Sequence, residues 1–286
     1  MIGSLTLSRR TRRYLGQGIL IFFALIIMLW VLVPYLWIIS NSLRPQEELT
    51  RTGVSYLPGK ITMKNYLKLF SSTPLARYFL NSLLVGVSSM ALSLAVAVPA
   101  AYAIARYRFH LREPFLLGIL LAYMVPPILL LIPAFTIMRN LHLLNTHISL
   151  ILMHSSYAAP FSTWLLVGYF DALPPELEDA AQVDGCSRLG ALLRVVLPLA
   201  IPGVIATAIF ALIVSWNEFL YAITFLSTGK MFTLPVGIYN FMGGESIIYW
   251  GQITAAGVVT SLPVAIAFIL FQRHLIRGLT AGATKG

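Results

Sequence analysis

Charge is what this 286-residue sequence has least of: charged residues make up 10% of it, and only ten are acidic. Soluble domains carry about a quarter. With a hydrophobic fraction of 58%, a water-soluble enzyme of this length is excluded, because that much apolar surface cannot be hidden in one core. Cysteine is almost absent. The single Cys186 excludes an internal disulfide and a cysteine metal cluster. There is no Gly-x-x-x-x-Gly-Lys-Ser/Thr loop, so the chain does not bind ATP through that motif. Gly-x-Ser-x-Gly and His-Glu-x-x-His are missing too. The five histidines are scattered, and His154, inside an apolar run, reads as a packed or hydrogen-bonded residue ahead of a proton relay.

What is present is long charge-free sequence. No charged residue lies between Arg13 and Arg44, Arg77 and Arg106, Glu113 and Arg139, Arg139 and Asp171, Arg194 and Glu218, or Glu245 and Arg273. A bilayer-spanning helix needs about 20 apolar residues. The runs predict six spans, near 16–39, 78–105, 115–137, 148–170, 202–226 and 250–272. Backbone groups in lipid must be satisfied internally, and alternating-polarity strands are missing, so the spans are expected to be helices. The organisation is then a 1–15 cytoplasmic segment, a 16–39 first span, a 40–77 external loop and a 78–286 core. That core holds a cytoplasmic loop at 171–200 and a cytoplasmic tail. Arg9, Arg10, Arg12 and Arg13 before an apolar run imitate a secretory leader. The run exceeds the usual 7–15 residues or so, and no small-residue cleavage site follows. It reads as an uncleaved first span.

The formal charge of +10 is distributed as a membrane topology rather than a nucleic-acid surface. Arg9 to Arg13, then Arg106, Arg108 and Arg112, then Arg273, Arg277 and Lys285 fall on one side if the spans alternate. Both termini are therefore expected in the cytoplasm. The 44–77 segment, with Arg44, Arg51, Lys60, Lys64, Lys68 and Arg77, is the exception to this rule.

Half of the acidic residues are concentrated at Asp171, Glu176, Glu178, Asp179 and Asp184. Pro174 and Pro175 can open a helix, whose first turns favour the negative charge of Glu176, Glu178 and Asp179. Ala180 and Ala181 allow close approach of another backbone. Gly185 can end the helix in a left-handed conformation. Leu189, Leu192, Leu193 and Val196 follow at helical spacing and predict a stripe packed on the membrane domain.

Asp179-Ala180-Ala181, Asp184-Gly185 and Val195-Val196-Leu197-Pro198 resemble the coupling loop of permease subunits of bacterial ATP-binding-cassette importers. That family's pattern is Glu-Ala-Ala, two residues, Asp-Gly, nine residues, Ile-x-Leu-Pro. Asp179 stands where the family has Glu, with Glu178 just before it, and either acid can supply the carboxylate. Val195 replaces Ile. Ser215-Trp216-Asn217-Glu218-Phe219 and Ala103-Ile104-Ala105-Arg106-Tyr107 resemble stretches of the carbohydrate-type permeases. Gly278 to Gly286 resembles the tail of the second permease subunit of maltose-type systems.

The resemblance implies an all-α membrane protein with the six-helix type I importer permease fold. It is a non-catalytic subunit, with ATP and Mg bound by partners and no cofactor in this chain. The implied partners are a homologous second permease, two ATPase subunits, an external solute-binding protein, the bilayer of the bacterial inner membrane and a sugar-type substrate. Glu178, Asp179, Ala180, Ala181, Asp184 and Gly185 are the expected ATPase-coupling residues. Trp216, Asn217, Glu218 and Tyr221 form either a polar lining of the path or a cluster joining span five to a neighbour. Tyr239 and Asn240, in an outward 227–249 segment expected to be irregular because of Pro235, Gly237, Gly243 and Gly244, are candidate binding-protein contacts. Met124-Val125-Pro126-Pro127, with Pro133, should break or kink span three. A polyol, a glycerol-phosphate compound or an acidic oligosaccharide is the alternative cargo. An ion-coupled secondary transporter using Glu218 and His154 is the alternative class.

Overall fold

The computed structural model describes residues 9–50, 58–107, 109–243 and 249–283, with side chains for 16–50, 58–107, 109–242 and 249–272. Among them every regular element is helical. Four helices are long and apolar enough to cross a membrane, and two bent helix pairs raise the number to six if each pair is one span.

The chain divides into two compact units. The first contains residues 1–72 and 246–259. In it, α1 (Arg9–Ser42) is followed by α2 (Gln46–Leu49) and α3 (Lys64–Ser72), and the first turns of α14 (Trp250–Ala283) complete it. Residues 16–34 of α1 are exposed on every face, the state of an apolar helix meant for lipid or another chain. Below them the chain turns on polar contacts. The buried Asn65 amide donates to the carbonyls of Ser42 at 2.8 Å and Arg44 at 2.7 Å. The Arg44 guanidinium lies over Trp37 at 5.3 Å. Part of the expected 40–77 external loop is helical among the described residues, because α1 runs on to Ser42, α2 and α3 lie within it and α4 starts at Leu75.

The second unit contains residues 73–245 and 260–286. Its centre is the pairing of α4 (Leu75–Arg106) with α7 (His147–Asp171). On α4 the buried positions Ser82, Gly86, Ser89, Ser93, Ala97 and Ala101 recur every three or four residues and form one stripe. On α7, Ser155, Ala158 and Ser162 are buried in the same way. Small side chains let the helix backbones approach closely, as lipid-embedded packing requires. Ser155 Oγ donates to the Ser89 carbonyl at 3.1 Å across the seam.

Span three is broken as expected. α5 (Arg112–Met124) and α6 (Pro127–Asn140) meet at 86°. Span five departs from the 202–226 expectation. α11 (Ile201–Trp216) ends at Trp216, residues 217–219 leave the helix, and α12 (Leu220–Phe225) restarts it. A second bend, of 80°, joins the 188–199 segment to α11. The 227–249 segment is not an irregular loop throughout, because α13 (Leu234–Gly243) occupies much of it. Pro235 is the second residue of that helix, where no backbone donor is required of it. Gly237 is there for contact: a Cβ would lie 2.1 Å from Cδ2 of Tyr78. The side chains of the Gly278–Gly286 tail and of residues 1–15 lie outside those described.

Candidate functional site

After α7 the chain enters α8 (Glu176–Val183), with Pro175 as its N-cap. Its end is built by Gly185 at φ +90. Gly185 N–H donates to the Gln182 carbonyl at 3.0 Å and Cys186 N–H to the Ala181 carbonyl at 2.9 Å, the paired bonds of a Schellman termination. Next come α9 (Arg188–Ala191), a π turn at Leu192–Val196 and α10 (Leu197–Leu199). Only half of the predicted apolar stripe is buried: Leu192 is 4% and Val196 2% exposed, but Leu189 is 64% and Leu193 54% exposed. The wider π turn changes the angular step per residue, which rotates the stripe away from its ideal α-helical face.

The two neighbouring acids are used differently. Glu178 is buried at 6% exposure. Its Oε2 accepts from Tyr102 Oη at 2.9 Å, and its Oε1 accepts from Arg106 Nε. Arg106, at the end of α4, also donates to the carbonyls of Phe170 at 2.9 Å and Leu173 at 3.2 Å. One guanidinium therefore ties together the ends of α4 and α7 and the first turn of α8. A second tie runs beside it, from Arg112 Nη2 to Asp171 Oδ2 at 2.5 Å. Asp179, Ala180, Asp184 and Gly185 are exposed, while Ala181 is buried. Val183, at 87% exposure, gives this outward face an apolar knob. Of the six coupling candidates, Asp179, Ala180, Asp184 and Gly185 thus form an accessible surface, and Glu178 and Ala181 hold that surface to the helices beneath.

The clasp was missed because the expectation looked for Arg106 in a motif and for Glu178 at an interface. The signal was available: a cation that closes one apolar run and an acid that shortly follows another.

A second polar cluster lies within the spans. His154 Nδ1 is 2.6 Å from Ser215 Oγ, and His154 Nε2 is 3.1 Å from Glu218 Oε2. Glu218 also accepts from the backbone N–H groups of Tyr221 at 2.8 Å and Ala222 at 3.1 Å. Its carboxylate thereby caps α12, which explains the break at 217–219. Tyr221 Oη donates to the Pro127 carbonyl at 3.1 Å, linking the break of span five to that of span three. Trp216 is buried, donates its indole N–H to the Thr260 carbonyl at 3.1 Å and meets Phe79 edge-on at 5.6 Å. Asn217 is exposed and bonds back to the Ile213 carbonyl at 3.0 Å. Of the four path candidates, Asn217 alone is exposed. Tyr239 and Asn240 are exposed on α13, and Tyr239 packs edge-on against Phe219 at 5.2 Å. Among the described residues no group of three metal-ligating side chains occurs.

These features describe a multi-pass helical membrane protein that displays the acidic helix α8 outside its candidate spans. Residues 93–281 match the family described as binding-protein-dependent transport system inner membrane component, and the chain belongs to that family. It is similar to the sulfoquinovosyl glycerol transport system permease protein SmoH of Agrobacterium fabrum, with 41% identity over 95% of each chain. It is also similar to the trehalose/maltose transport system permease protein MalG of Thermococcus litoralis, with 34% identity over 95% of this chain and 98% of the relative. Its fold is similar to that of a bacterial ABC transporter chain involved in import of the acidic polysaccharide alginate. That match has a TM-score of 0.76 at 24% identity and covers 94% of this chain and 99% of the other.

Proposed function

We propose that the chain is one of two permease subunits of an ATP-driven importer that takes a sugar or oligosaccharide from an external binding protein into the cytoplasm. Alternating spans put both termini and α8 in the cytoplasm, and α13, with Tyr239 and Asn240, outside. An ATPase subunit grips the Asp179, Ala180, Val183 and Asp184 face of α8. Its movement on ATP binding is passed through Arg106 and Glu178 into α4 and α7. A ligand shifts such an equilibrium only by binding the two states unequally, so ATP and the loaded binding protein each favour the outward-open state. The carrying observation is an exposed eight-residue helix whose carboxylate Glu178 is bound to the transmembrane helices. The named relatives support a carbohydrate cargo.

The test is co-purification with the ATPase from detergent, together with transport in vesicles. Val183→Glu should lose the ATPase, and Asp179→Ala should reduce transport per ATP hydrolysed. Retention of both properties in both variants would reject this surface as the coupling element. The buried His154–Glu218 pair is the observation that favours the second reading, an ion-coupled transporter. Transport that persists without the ATPase would establish that alternative.

A further inference from the structure

The cations of the 44–77 segment run against the charge rule that the rest of the chain obeys, and coupling does not use them. In the first unit three of them converge on one cavity. A space of about 260 Å³ is lined by Lys60, Lys64, Lys68, Asn65, Tyr249 and Gln252 and also by one acid, the exposed Glu47, so three ammonium groups face a single carboxylate. Lys64 and Lys68 are one helical turn apart on α3, so their stems leave the same face. Lys68 Nζ lies over the Tyr249 ring at 5.8 Å, which turns that ammonium towards the cavity wall. Among the described residues none of the three ammonium groups has a carboxylate within ion-pair distance. Arg44, by contrast, is spent internally on Ser40, Trp37 and Glu48. Gln252 is 5% exposed and lines the cavity. The neighbouring Asn65 amide is occupied by the Ser42 and Arg44 carbonyls.

We infer that this cavity is a binding site for a carboxylate-bearing group, held by the Lys60, Lys64 and Lys68 ammonium groups and the Gln252 amide. Three mobile point charges above a fixed amide suit a carboxylate that arrives from solution. Lysine presents charge without the fixed fork of arginine, and an ionised acceptor strengthens each hydrogen bond. Tyr249 offers a flat face beside the charges, against which a hydroxylated ring can lie. Under the proposed topology the cavity opens to the outside, so this inference rests on that reading. The carboxylate then comes either from an acidic saccharide or from an acidic side chain of the docking binding protein.

The experiment uses the assembled permease–ATPase complex in nanodiscs and follows the rates at which Lys60, Lys64 and Lys68 react with an amine reagent, read by mass spectrometry. D-galacturonate, D-galactose and the sugar-free binding protein are the probes. Slowing of all three lysines about fivefold by galacturonate, with none by galactose, establishes the site and a saccharide source. Slowing by the binding protein, together with an affinity for it about fivefold weaker in Lys64→Gln/Lys68→Gln, establishes the site and a protein source; two exposed charge pairs give an effect of about that size. Equal slowing by galactose and galacturonate, shielding by the binding protein with unchanged affinity in the variant, or no slowing by any probe overturns the inference. Gln252→Leu should abolish the galacturonate effect while the complex still assembles. ATPase association read in the same sample separates failure of the site from failure of the importer reading.

Discussion

Glu178 and Glu218 are both carboxylates tied into helical packing, but they are held by different chemistry. Glu178 has a guanidinium and a phenol as partners, and the guanidinium also holds two carbonyls of another helix end. Glu218 has an imidazole and two backbone N–H groups, and it caps the helix that its own position interrupts. The first arrangement ties three elements together at one point. The second works mainly within one span, fixing where α11 stops and α12 begins. The Glu178 carboxylate is therefore a joint between helices, and the Glu218 carboxylate shapes a helix.

The largest expected effect comes from breaking the joint. Glu178→Ala leaves the Arg106 charge buried without its carboxylate, which costs about 3 kcal/mol. Thermal inactivation of the detergent-solubilised complex should shift accordingly, and transport per ATP should fall with it. Arg106→Ala should lose as much, and Arg106→Lys should restore only part of it, because a single ammonium cannot present the fork that reaches a carboxylate and two carbonyls together. Full recovery by lysine would show that charge alone, and not geometry, makes the joint.

Glu218→Ala is expected to cost less, about 2 kcal/mol, since it removes a cap and a partner for the buried His154. Glu218→Gln should cost about 1 kcal/mol or less, because its amide oxygen still accepts from the Tyr221 N–H. Equal effects of Ala and Gln on the same thermal assay would place the importance of Glu218 in its charge rather than in capping. The smallest effect is expected at Gly185. Gly185→Ala forces a Cβ into the left-handed region, at about 1 kcal/mol, with nothing nearby to clash. Its signature should be confined to ATPase co-purification, with the stability of the spans unchanged.

Much of this architecture is legible from composition. Charge-free runs longer than a bilayer needs predict the spans, and Pro126-Pro127 predicts the break in the third because proline cannot donate within a helix. The break in the fifth span was not legible, since residues 217–219 contain neither glycine nor proline. It depends on Glu218 turning back onto N–H groups that would otherwise be orphaned at the start of α12. The opposite error occurred at 234–243. Pro235 and Gly237 read as breakers, but one sits in a first helical turn and the other makes room for Tyr78.

At α8 the motif spacing located the element and its glycine stop, and it stopped short at the choice between Glu178 and Asp179. By itself the sequence determined that the chain crosses a membrane as helices and that an acidic helix, α8, lies outside them, because both follow from local composition and backbone hydrogen bonding. Only the tertiary structure decided which acid faces inward. Adjacent residues on a helix point about 100° apart, and the face that docks is chosen by Arg106, 72 positions away in the chain.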